Sequence, residues 1–582
     1  MNFLSQLKDL NDYEINREFC FVGAGVIEEE GYVDPMTVTE AKSSKYWSEW
    51  LEAMRLEDAN MKKRGVWKVI PRSQVPEGRK ILKNRWVFKR KTNGVFRARL
   101  VAKGYDQVPG VDFQYSFAPV IQDTTTRILM VLMALFNWNA HIMDVETAFL
   151  HGDLEEEIFM ELPEGLGYSK SDVGLLIKSI YGLVQAARQW WIKFGSTLVQ
   201  EEFLRSKIDA CLFTKMDDAG FVALALWVDD VLAVGDKKAI EQARQIIKKH
   251  YEVKEISEVK DYVGCTLERG KGWVKVTQPG LIRTIFQKFF YNKNLEARGV
   301  NTPAPGGQLL VRSKDPCDNI SKEEQEEYRS GVGKLLYLTK YSRPEIINAV
   351  RENSRFMDGA TVAHQEAMKR VIRYVVNTPD RGLLLKPYKG RCRERHMIIT
   401  GGSDSDYAKD PETRRSVSGY YVLLNGAPIA WKSKMQSCVT LSSTEAEYVA
   451  AAAAAQEMLF ARQAVEAMHF IVELLMRLYV DNTGAIDLIN NWQSSGHSRH
   501  IDVRFHFLRE LQERNVIRVE FIRTADNIAD LFTKNLAMEP FERFARNFVG
   551  DDEYFTTIAE NTQQFNSNIQ EEDEDEDDNE RD

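Results

Sequence analysis

The sequence predicts a multidomain protein of the α+β and α/β classes, and three observations lead to this prediction. The chain has 582 residues, well beyond the length at which a single hydrophobic core keeps growing. An apolar run at residues 221–228 stops at two aspartates and then resumes, which is typical of a strand, a tight turn and a returning strand. Beyond His396, strand-like and helical segments alternate, which favours a separate α/β unit.

The elements of the first two thirds of the chain follow from hydrophobic periodicity. Trp47, Trp50 and Met54 share one face of a predicted helix. The further predicted elements are basic strands around residues 85–103, a helix at 127–136, an extended segment at 140–144, a helix at 237–250, a linker at 301–324 and helices near Tyr328 and His364.

The last third has a different pattern. A long helix is predicted from about Ser442, where Glu445 lies at capping-box spacing. The other predicted elements are strands at 397–400 and 417–430, a strand at 478–481, a short helix, a strand at 516–522 and a final helix that includes Asp530.

The formal net charge of -9 is concentrated in one place. Residues 571–582 hold ten acidic residues and only Arg581, so the rest of the chain is neutral overall. Between Lys62 and Lys103 there are fifteen Lys or Arg residues and a single acid, Glu77. This stretch is the predicted nucleic-acid surface.

The six cysteines are far apart and show no paired spacing, which argues against zinc knuckles and a disulfide framework. The longest apolar run is too short to span a bilayer, and no signal-like leader opens the chain. We therefore expect an intracellular protein with no membrane partner.

Seven carboxylates are candidates for metal chemistry. Asp144 ends one predicted strand, and Asp229 and Asp230 lie at a predicted hairpin turn, where folding could bring the three together. Alone, an Asp-Asp pair at a turn is more often a solvated turn. The other four are Asp404, Glu447, Asp481 and Asp530, each at the end of a strand or within a helix of the last third. Singly, each would be interpreted as a surface carboxylate.

The surrounding segments resemble the reverse transcriptase of copia-type LTR retrotransposons. They are 85–89 (RWVFK), 97–104 (RARLVAKG), 117–120 (FAPV), 143–152 (MDVETAFLHG), 181–183 (YGL) and 227–230 (WVDD). The last third resembles the RNase H region of the same family, in segments 403–408 (SDSDYA), 416–420 (SVSGY), 430–434 (AWKSK), 442–448 (SSTEAEY), 480–482 (VDN) and 527–530 (NIAD). The resemblance covers residues 34–536.

This resemblance implies a right-hand polymerase with fingers, palm and thumb, followed by an RNase H-like α/β domain. Asp144, Asp229 and Asp230 would be the polymerase metal ligands, with two Mg²⁺ ions in each active site and Mn²⁺ as an alternative ion. Phe149 would be the steric gate that selects deoxynucleotides, although core packing is the other interpretation. The implied contacts to nucleotide and template are Gln185, Arg188, Arg97, Arg99 and Lys103.

Asp404, Glu447, Asp481 and Asp530 would form the RNase H site, and Glu447 is preferred to Glu445 because Glu-x-x-Ala is the wider pattern. The implied partners are RNA template, primer, RNA–DNA hybrid and dNTPs, with integrase and capsid proteins of the same element. The implied location is the cytoplasm, within a virus-like particle, with the nucleus as an alternative.

The predicted domains are an N-terminal extension (1–33), fingers and palm (34–310), thumb and connection helices (311–395), an RNase H-like domain (396–540) and an acidic, disordered tail (541–582). The alternative to an active enzyme is a catalytically inactive protein, derived from a retrotransposon, that binds nucleic acid or another partner. All seven carboxylates are present, which favours the active enzyme.

Overall fold

A computed structural model describes residues 33–551, apart from 92–93, 257–258, 260, 291–292, 294–298, 389–394 and 492–498. The predicted extension at 1–33, apart from its last residue, and most of the acidic tail therefore lie outside the described residues. The chain divides into two compact units: the first comprises residues up to 122 together with 138–259, and the second comprises 123–137 and the chain from 260 onward.

Among the described residues, the α-helices are α1 (Val38–Ser43), α2 (Trp47–Lys63), α3 (Asp123–Phe136), α4 (Ala186–Gln200), α5 (Lys237–His250), α6 (Pro279–Phe289), α7 (Lys322–Tyr341), α8 (Ile347–Ser354), α9 (Val362–Val376), α10 (Ser443–Ala467), α11 (Thr483–Asn491), α12 (Arg499–Glu513) and α13 (Met538–Ala545).

The strands of the described residues are β1 (Trp67–Pro71), β2 (Ile81–Leu82), β3 (Asn84–Arg90), β4 (Phe96–Ala102), β5 (Asn139–Val145), β6 (Asp153–Glu161), β7 (Asp172–Lys178), β8 (Leu204–Arg205), β9 (Leu212–Asp217), β10 (Gly220–Trp227), β11 (Asp230–Gly235), β12 (Val253–Ile256), β13 (Asp261–Tyr262), β14 (Cys265–Gly270), β15 (Trp273–Thr277), β16 (Gly382–Leu385), β17 (His396–Met397), β18 (Ile399–Asp406), β19 (Val417–Leu424), β20 (Ala427–Met435), β21 (Ile471–Val472), β22 (Met476–Val480), β23 (Ile517–Phe521) and β24 (Val549–Gly550).

The main sheet of the first unit is antiparallel, with strand order β12-β5-β11-β10-β9-β8. The strands β10 and β11 are apolar almost throughout because they lie in the middle of this sheet and are buried. Helix α5 buries one face, formed by Ala239, Ile240, Ala243 and Ile247. The predicted strand, acidic turn and returning strand are confirmed, as is the helix at 237–250.

The basic strands form a separate hairpin of β3 and β4. Their inward side chains contact helix α2, where the Trp50 ring packs edge-on against Phe88 and Phe96 at centroid distances of 5.2 and 4.6 Å. The cationic side chains alternate with these apolar residues along each strand. Because successive side chains of a strand point to opposite faces, the hairpin presents one basic face.

The second unit contains a five-stranded sheet with order β20-β19-β18-β22-β23. The first three strands are antiparallel, and β22 and β23 run parallel to β18 and to each other. The long helix α10 packs across β18 and β19. An α/β unit is predicted beyond His396, and its strands and helices follow one another as predicted except at residues 417–430, where one predicted strand is two.

Helix α3 also belongs to the second unit, although its sequence lies within that of the first. It packs against β15, β16, β20 and α10, and its residues from Arg127 to Ala134 are all buried. The Arg127 guanidinium lies 3.9 Å from the centroid of the Trp431 ring and donates to the Ile429 carbonyl oxygen at 3.0 Å.

Three predictions differ from the structure. The predicted strand at 417–430 is a hairpin, because Asn425 and Gly426 adopt positive φ values of 47° and 82°, as a tight two-residue turn requires. Asp530 lies in a short 3₁₀ helix (Ile528–Phe532) rather than an α-helix.

The third difference concerns the start of the tail. The tail is predicted from residue 541, but residues 541–551 include most of α13 and the strand β24, which pairs with β16. Buried Arg381 fixes this segment by donating to Glu542 at 2.8 and 2.9 Å and to Asp551 at 3.0 Å. These contacts compensate the charge of a buried guanidinium and join residues 542 and 551 to the second unit.

The predicted fold class is confirmed: a polymerase-type region with mixed sheets precedes an RNase H-like α/β unit. The limits of fingers, palm and thumb stay predictions. None of the helices in the described part of the chain is both long and apolar enough to cross a membrane.

Candidate active sites

The first group of carboxylates lies at one end of the antiparallel sheet. Asp144 in β5 and Asp230 in β11 are directly opposed in the strand register, and Asp229 lies in the turn before β11. The Val145 amide donates to the Asp229 carbonyl oxygen at 3.1 Å, which joins the turn to β5. Opposed side chains of an antiparallel pair share one face, so Asp144 and Asp230 point to the same side.

The turn itself is strained and anchored. Val228 has a φ of 56°, which is unfavourable for a β-branched residue. Buried Trp190 in α4 donates from its indole Nε1 to the Val228 carbonyl oxygen at 2.5 Å. We infer that Trp190 holds the strained turn in place, and with it Asp229 and Asp230.

Replacing Trp190 by phenylalanine removes this hydrogen bond, which contributes about 1 kcal/mol net in a typical protein. For the polymerase activity that the resemblance implies, we expect the rate constant for nucleotide addition to fall by roughly fivefold, the factor that corresponds to about 1 kcal/mol. Trp191→Phe is the matched control, because Trp191 donates to the Ala210 carbonyl oxygen and not to a residue of the turn. Equal loss of activity in both variants, measured by single-turnover incorporation, would contradict this role.

The charges that surround the first group of carboxylates shift the pKa values of its members in opposite directions. Burial raises the pKa of Asp230 to about 7, and the neighbouring Asp229 and Asp144 add to this rise. Burial also raises the pKa of Asp229, whereas Arg99 and Arg97 of β4 act in the opposite direction. A bound cation would reduce this repulsion, because a nearby opposite charge favours the ionised form of a carboxyl group.

The predicted basic contacts lie on β4 or at its end. The Arg99 guanidinium lies 4.9 Å from the Tyr181 ring centroid, and its Nε is buried without a protein partner. Arg97 is half-buried and opposes Lys89 in the register. The half-buried Lys103 follows the strand, and its backbone amide donates to the Lys83 carbonyl oxygen at 2.8 Å. Their phosphate contacts stay predictions.

The other three predicted residues lie around the same region. Phe149 is half-buried in a 3₁₀ turn after β5, with its ring 5.3 Å from that of Tyr181. Arg188 donates to the Phe117 carbonyl oxygen at 3.2 Å and lies over the Tyr115 ring.

Gln185 is buried, and its amide is engaged within the protein. It accepts from Gln107 at 3.0 Å and donates to the Asp112 carbonyl oxygen at 2.8 Å. Contact with a nucleotide would therefore require exchange of these hydrogen bonds, a feature that the sequence did not indicate.

The second group of carboxylates is tighter. Asp404 in β18, Glu447 in α10 and Asp481 after β22 bring one oxygen each within 4.8 Å of one another. Among the described residues, no other three His, Cys, Asp or Glu side chains meet this criterion. Asp404 and Glu447 are only 1% and 5% exposed, so their charges cannot be compensated by solvent.

Glu447 is fixed by its neighbours. Its Oε1 accepts from the amide and the hydroxyl of Ser405 at 3.0 and 2.9 Å, while its Oε2 is buried without a partner. Burial raises the pKa of Glu447 to about 9, with additions from Asp404 and Asp481. Glu445, by contrast, accepts from the Leu441 amide at the start of α10.

Asp530 reaches this group through a lysine that the sequence analysis missed. The Lys534 Nζ lies 2.6 Å from Asp530 Oδ1 and 3.3 Å from Asp404 Oδ1. Thr533 donates from its hydroxyl to the other oxygen of Asp404. The available signal was spacing, because Lys534 lies four residues after Asp530.

Both groups fit divalent metal ions by the chemistry of their donors. Hard cations such as Mg²⁺ prefer carboxylate oxygens. The unpartnered Oε2 of Glu447 and the mutual repulsion within each group would both be relieved by a bound cation.

Comparison with known proteins shows which proteins the chain is similar to. Residues 64–304 match the family "Reverse transcriptase (RNA-dependent DNA polymerase)". The retrovirus-related Pol polyprotein from transposon TNT 1-94 of Nicotiana tabacum is 35% identical over 88% of this chain and 38% of its own length. That from transposon RE1 of Arabidopsis thaliana is 32% identical over 88% of this chain and 34% of its own length.

A more distant relative is the Ty1-DR5 Gag-Pol polyprotein of Saccharomyces cerevisiae, which is 25% identical over 88% of this chain and 30% of its own length. A solved structure of a foamy viral protease-reverse transcriptase in complex with an RNA/DNA hybrid covers 81% of this chain and 53% of that chain, with 13% identity and a TM-score of 0.42. The chain thus spans between 30% and 38% of the length of these polyproteins. Residues 64–304 match the reverse transcriptase family, and the chain is a relative of the Pol polyproteins of copia-type retrotransposons.

Proposed function

We propose that the chain is an RNA-directed DNA polymerase with a C-terminal RNase H activity. The observation that carries the polymerase proposal is the direct pairing of Asp144 with Asp230 beside Asp229. The positive charges of Arg97 and Arg99 act to lower the pKa of Asp229. Such a group offers carboxylates for cations and guanidinium groups for phosphates at one place.

The proposed roles follow from this geometry. Asp144 and Asp229 would hold two Mg²⁺ ions, with Asp230 in support, and Arg97, Arg99 and Lys103 would bind triphosphate or template phosphates. The chemistry supplied by bound Mg²⁺ is a lowered pKa of the attacking hydroxyl and stabilisation of the leaving oxygen. The rigid hairpin would keep the carboxylates in position while the template advances.

The first test is incorporation of labelled dNTPs by the pure chain on a primed RNA template, with Mg²⁺ and with a chelator. Metal-dependent extension that requires the primer supports the proposal. If the folded chain shows no extension yet retains the RNA in a gel-shift assay, the alternative of a catalytically inactive nucleic-acid-binding protein is favoured.

Phe149 is the proposed steric gate. Its half-buried ring follows Asp144 by five residues and is held by the Tyr181 ring. We expect Phe149→Val to raise the use of rNTPs relative to dNTPs by at least about tenfold, because removal of the ring would make room for a 2′-hydroxyl. Tyr181→Phe is the control, since it keeps both rings. An unchanged ratio of rNTP to dNTP incorporation would indicate that Phe149 only packs.

The nuclease proposal rests on the triad of Asp404, Glu447 and Asp481, to which Asp530 is joined by Lys534. These residues would hold Mg²⁺ for hydrolysis of RNA in an RNA–DNA hybrid. The test is release of labelled RNA from the hybrid but not from free RNA, with Asp481→Asn as the variant. Asp487→Asn is the matched control, because Asp487 is an exposed aspartate on the next helix. Equal cleavage by both variants would argue against the site.

The proposed partners are RNA template, primer, hybrid and dNTPs, with integrase and capsid proteins of the same element as macromolecular partners. A cytoplasmic particle is the proposed location, with the nucleus as the alternative. Fractionation of cells that express the chain with its own capsid protein would test this assignment.

A further inference from the structure

The lysine in the nuclease site occupies a position that a second metal ion would need. Lys534 Nζ lies between two carboxylates, 2.6 Å from Asp530 Oδ1 and 3.3 Å from Asp404 Oδ1. The Asp404 and Asp530 side chains are only 2% and 11% exposed, so this ammonium is their main compensating charge. A second divalent ion held by Asp404 and Asp530 would therefore compete with the ammonium for these carboxylates.

The backbone keeps the lysine in this position. The Lys534 amide donates to the Asp530 carbonyl oxygen at 3.0 Å, which closes the end of the 3₁₀ helix. Asn527 ties the start of this helix to β18 by donating to the Ser403 carbonyl oxygen at 3.1 Å.

The same helix end is also pressed against the sheet. A Cβ at Gly419 of β19 would lie 2.7 Å from Thr533 Cγ2 and 2.8 Å from Phe532 Cβ, so only glycine allows this approach. Thr533 in turn donates to Asp404. The segment that bears Lys534 therefore cannot move away from the carboxylates without breaking these contacts.

The triad is the part of the nuclease site that Lys534 does not bridge to Asp530. Asp404, Glu447 and Asp481 bring three oxygens together, and the Oε2 of Glu447 lacks a protein partner. The triad therefore offers a free carboxylate oxygen to a divalent ion. Between Asp404 and Asp530, by contrast, the Lys534 ammonium is already present. Two divalent ions together with the ammonium would carry more positive charge than the four carboxylates can compensate.

We infer that Lys534 is a resident counter-cation of the nuclease site. The free chain then binds one divalent ion there, at Asp404, Glu447 and Asp481, and a second ion must displace the ammonium. This inference rests on the proposed nuclease site and assigns Lys534 as a positioning residue that limits metal binding.

The test counts Mn²⁺ ions by electron paramagnetic resonance and isothermal titration calorimetry. The parent protein is the full-length chain with Asp144→Asn and Asp229→Asn, which weaken metal binding at the polymerase site. The blank is this parent protein with Asp404→Asn added, and it reports the ions that are bound outside the nuclease site. Above this blank, we expect one Mn²⁺ per chain. Lys534→Met should bind two, whereas Lys534→Arg, which keeps the charge, should bind one. Lys432→Met is the matched control, because Lys432 is an exposed lysine of β20, and this variant should bind one Mn²⁺ ion.

Two ions in the Lys534 protein, or one ion in Lys534→Met, would overturn the inference while leaving the nuclease site in place. A count equal to the blank would instead overturn the proposed site itself. Thermal unfolding gives an independent measure: with chelator, Lys534→Met should melt below Lys432→Met, and Mn²⁺ should narrow the difference. Equal melting temperatures with chelator would contradict the role of Lys534 as a counter-cation.

Discussion

Asp229→Asn is expected to reduce dNTP incorporation by roughly a thousandfold, because loss of one ligand carboxylate removes several kcal/mol of charge stabilisation. Asp229 lies in the turn between β10 and β11, where the amide of asparagine can keep the backbone geometry. The measurement is single-nucleotide extension of a labelled primer on RNA, under conditions in which the wild-type chain completes one turnover.

The comparison separates chemistry from folding. Asp218→Asn is the matched control, because Asp218 is an exposed aspartate in the neighbouring hairpin of the same unit. Hybrid cleavage by Asp229→Asn should remain at the wild-type rate, since its nuclease residues are intact. Extension that persists within about tenfold of wild type would show that Asp229 is not a ligand.

The second large effect is expected for Glu447→Gln. This variant keeps the shape of the side chain but removes the charge that the site offers to a cation. We expect hybrid cleavage to fall by roughly a thousandfold, for the same reason as at the polymerase site. Glu473→Gln, a change at an exposed glutamate of the same unit, is the control and should cleave normally. Normal cleavage by Glu447→Gln would remove Glu447 from the site.

The same variant should be more stable than the wild type when divalent ions are absent. Burial raises the pKa of Glu447 from 4.5 to about 9, so the folded chain binds a proton that the unfolded chain releases. Stability therefore falls as pH rises between these two values, and glutamine removes this loss. With chelator, Glu447→Gln should melt above wild type at pH 8, and the two should converge near pH 4.5. A constant difference across this range would contradict the assignment.

Much of the fold could be predicted from the sequence because the elements carry strong periodic patterns. The amphipathic face of α5 has the helical period, and the short apolar runs of β10 and β11 are separated by an acidic turn signal. The hairpin turn at Asn425-Gly426 was missed because the flanking residues are apolar on both sides, although Asn-Gly is itself a turn signal.

The carboxylates could be named from the sequence, but their partners could not. Trp190 lies 38 residues from Val228, and Lys534 lies 130 residues from Asp404. Such pairs are created by tertiary packing, which leaves no mark on the local pattern. The burial of Gln185 has the same origin, since Gln107 and Asp112 reach it from a distant loop.

The position of α3 has a consequence for the order in which the chain folds during synthesis. This helix is made before the second half of the first unit, and β15, β16, β20 and α10, against which it packs, are all made later. Nascent domains generally fold in the order in which they leave the ribosome, and exposed apolar segments favour aggregation in the meantime. The seven consecutive apolar residues from Ile128 to Ala134 would therefore stay exposed until the later elements are synthesised. During this interval they would offer a binding site for a chaperone.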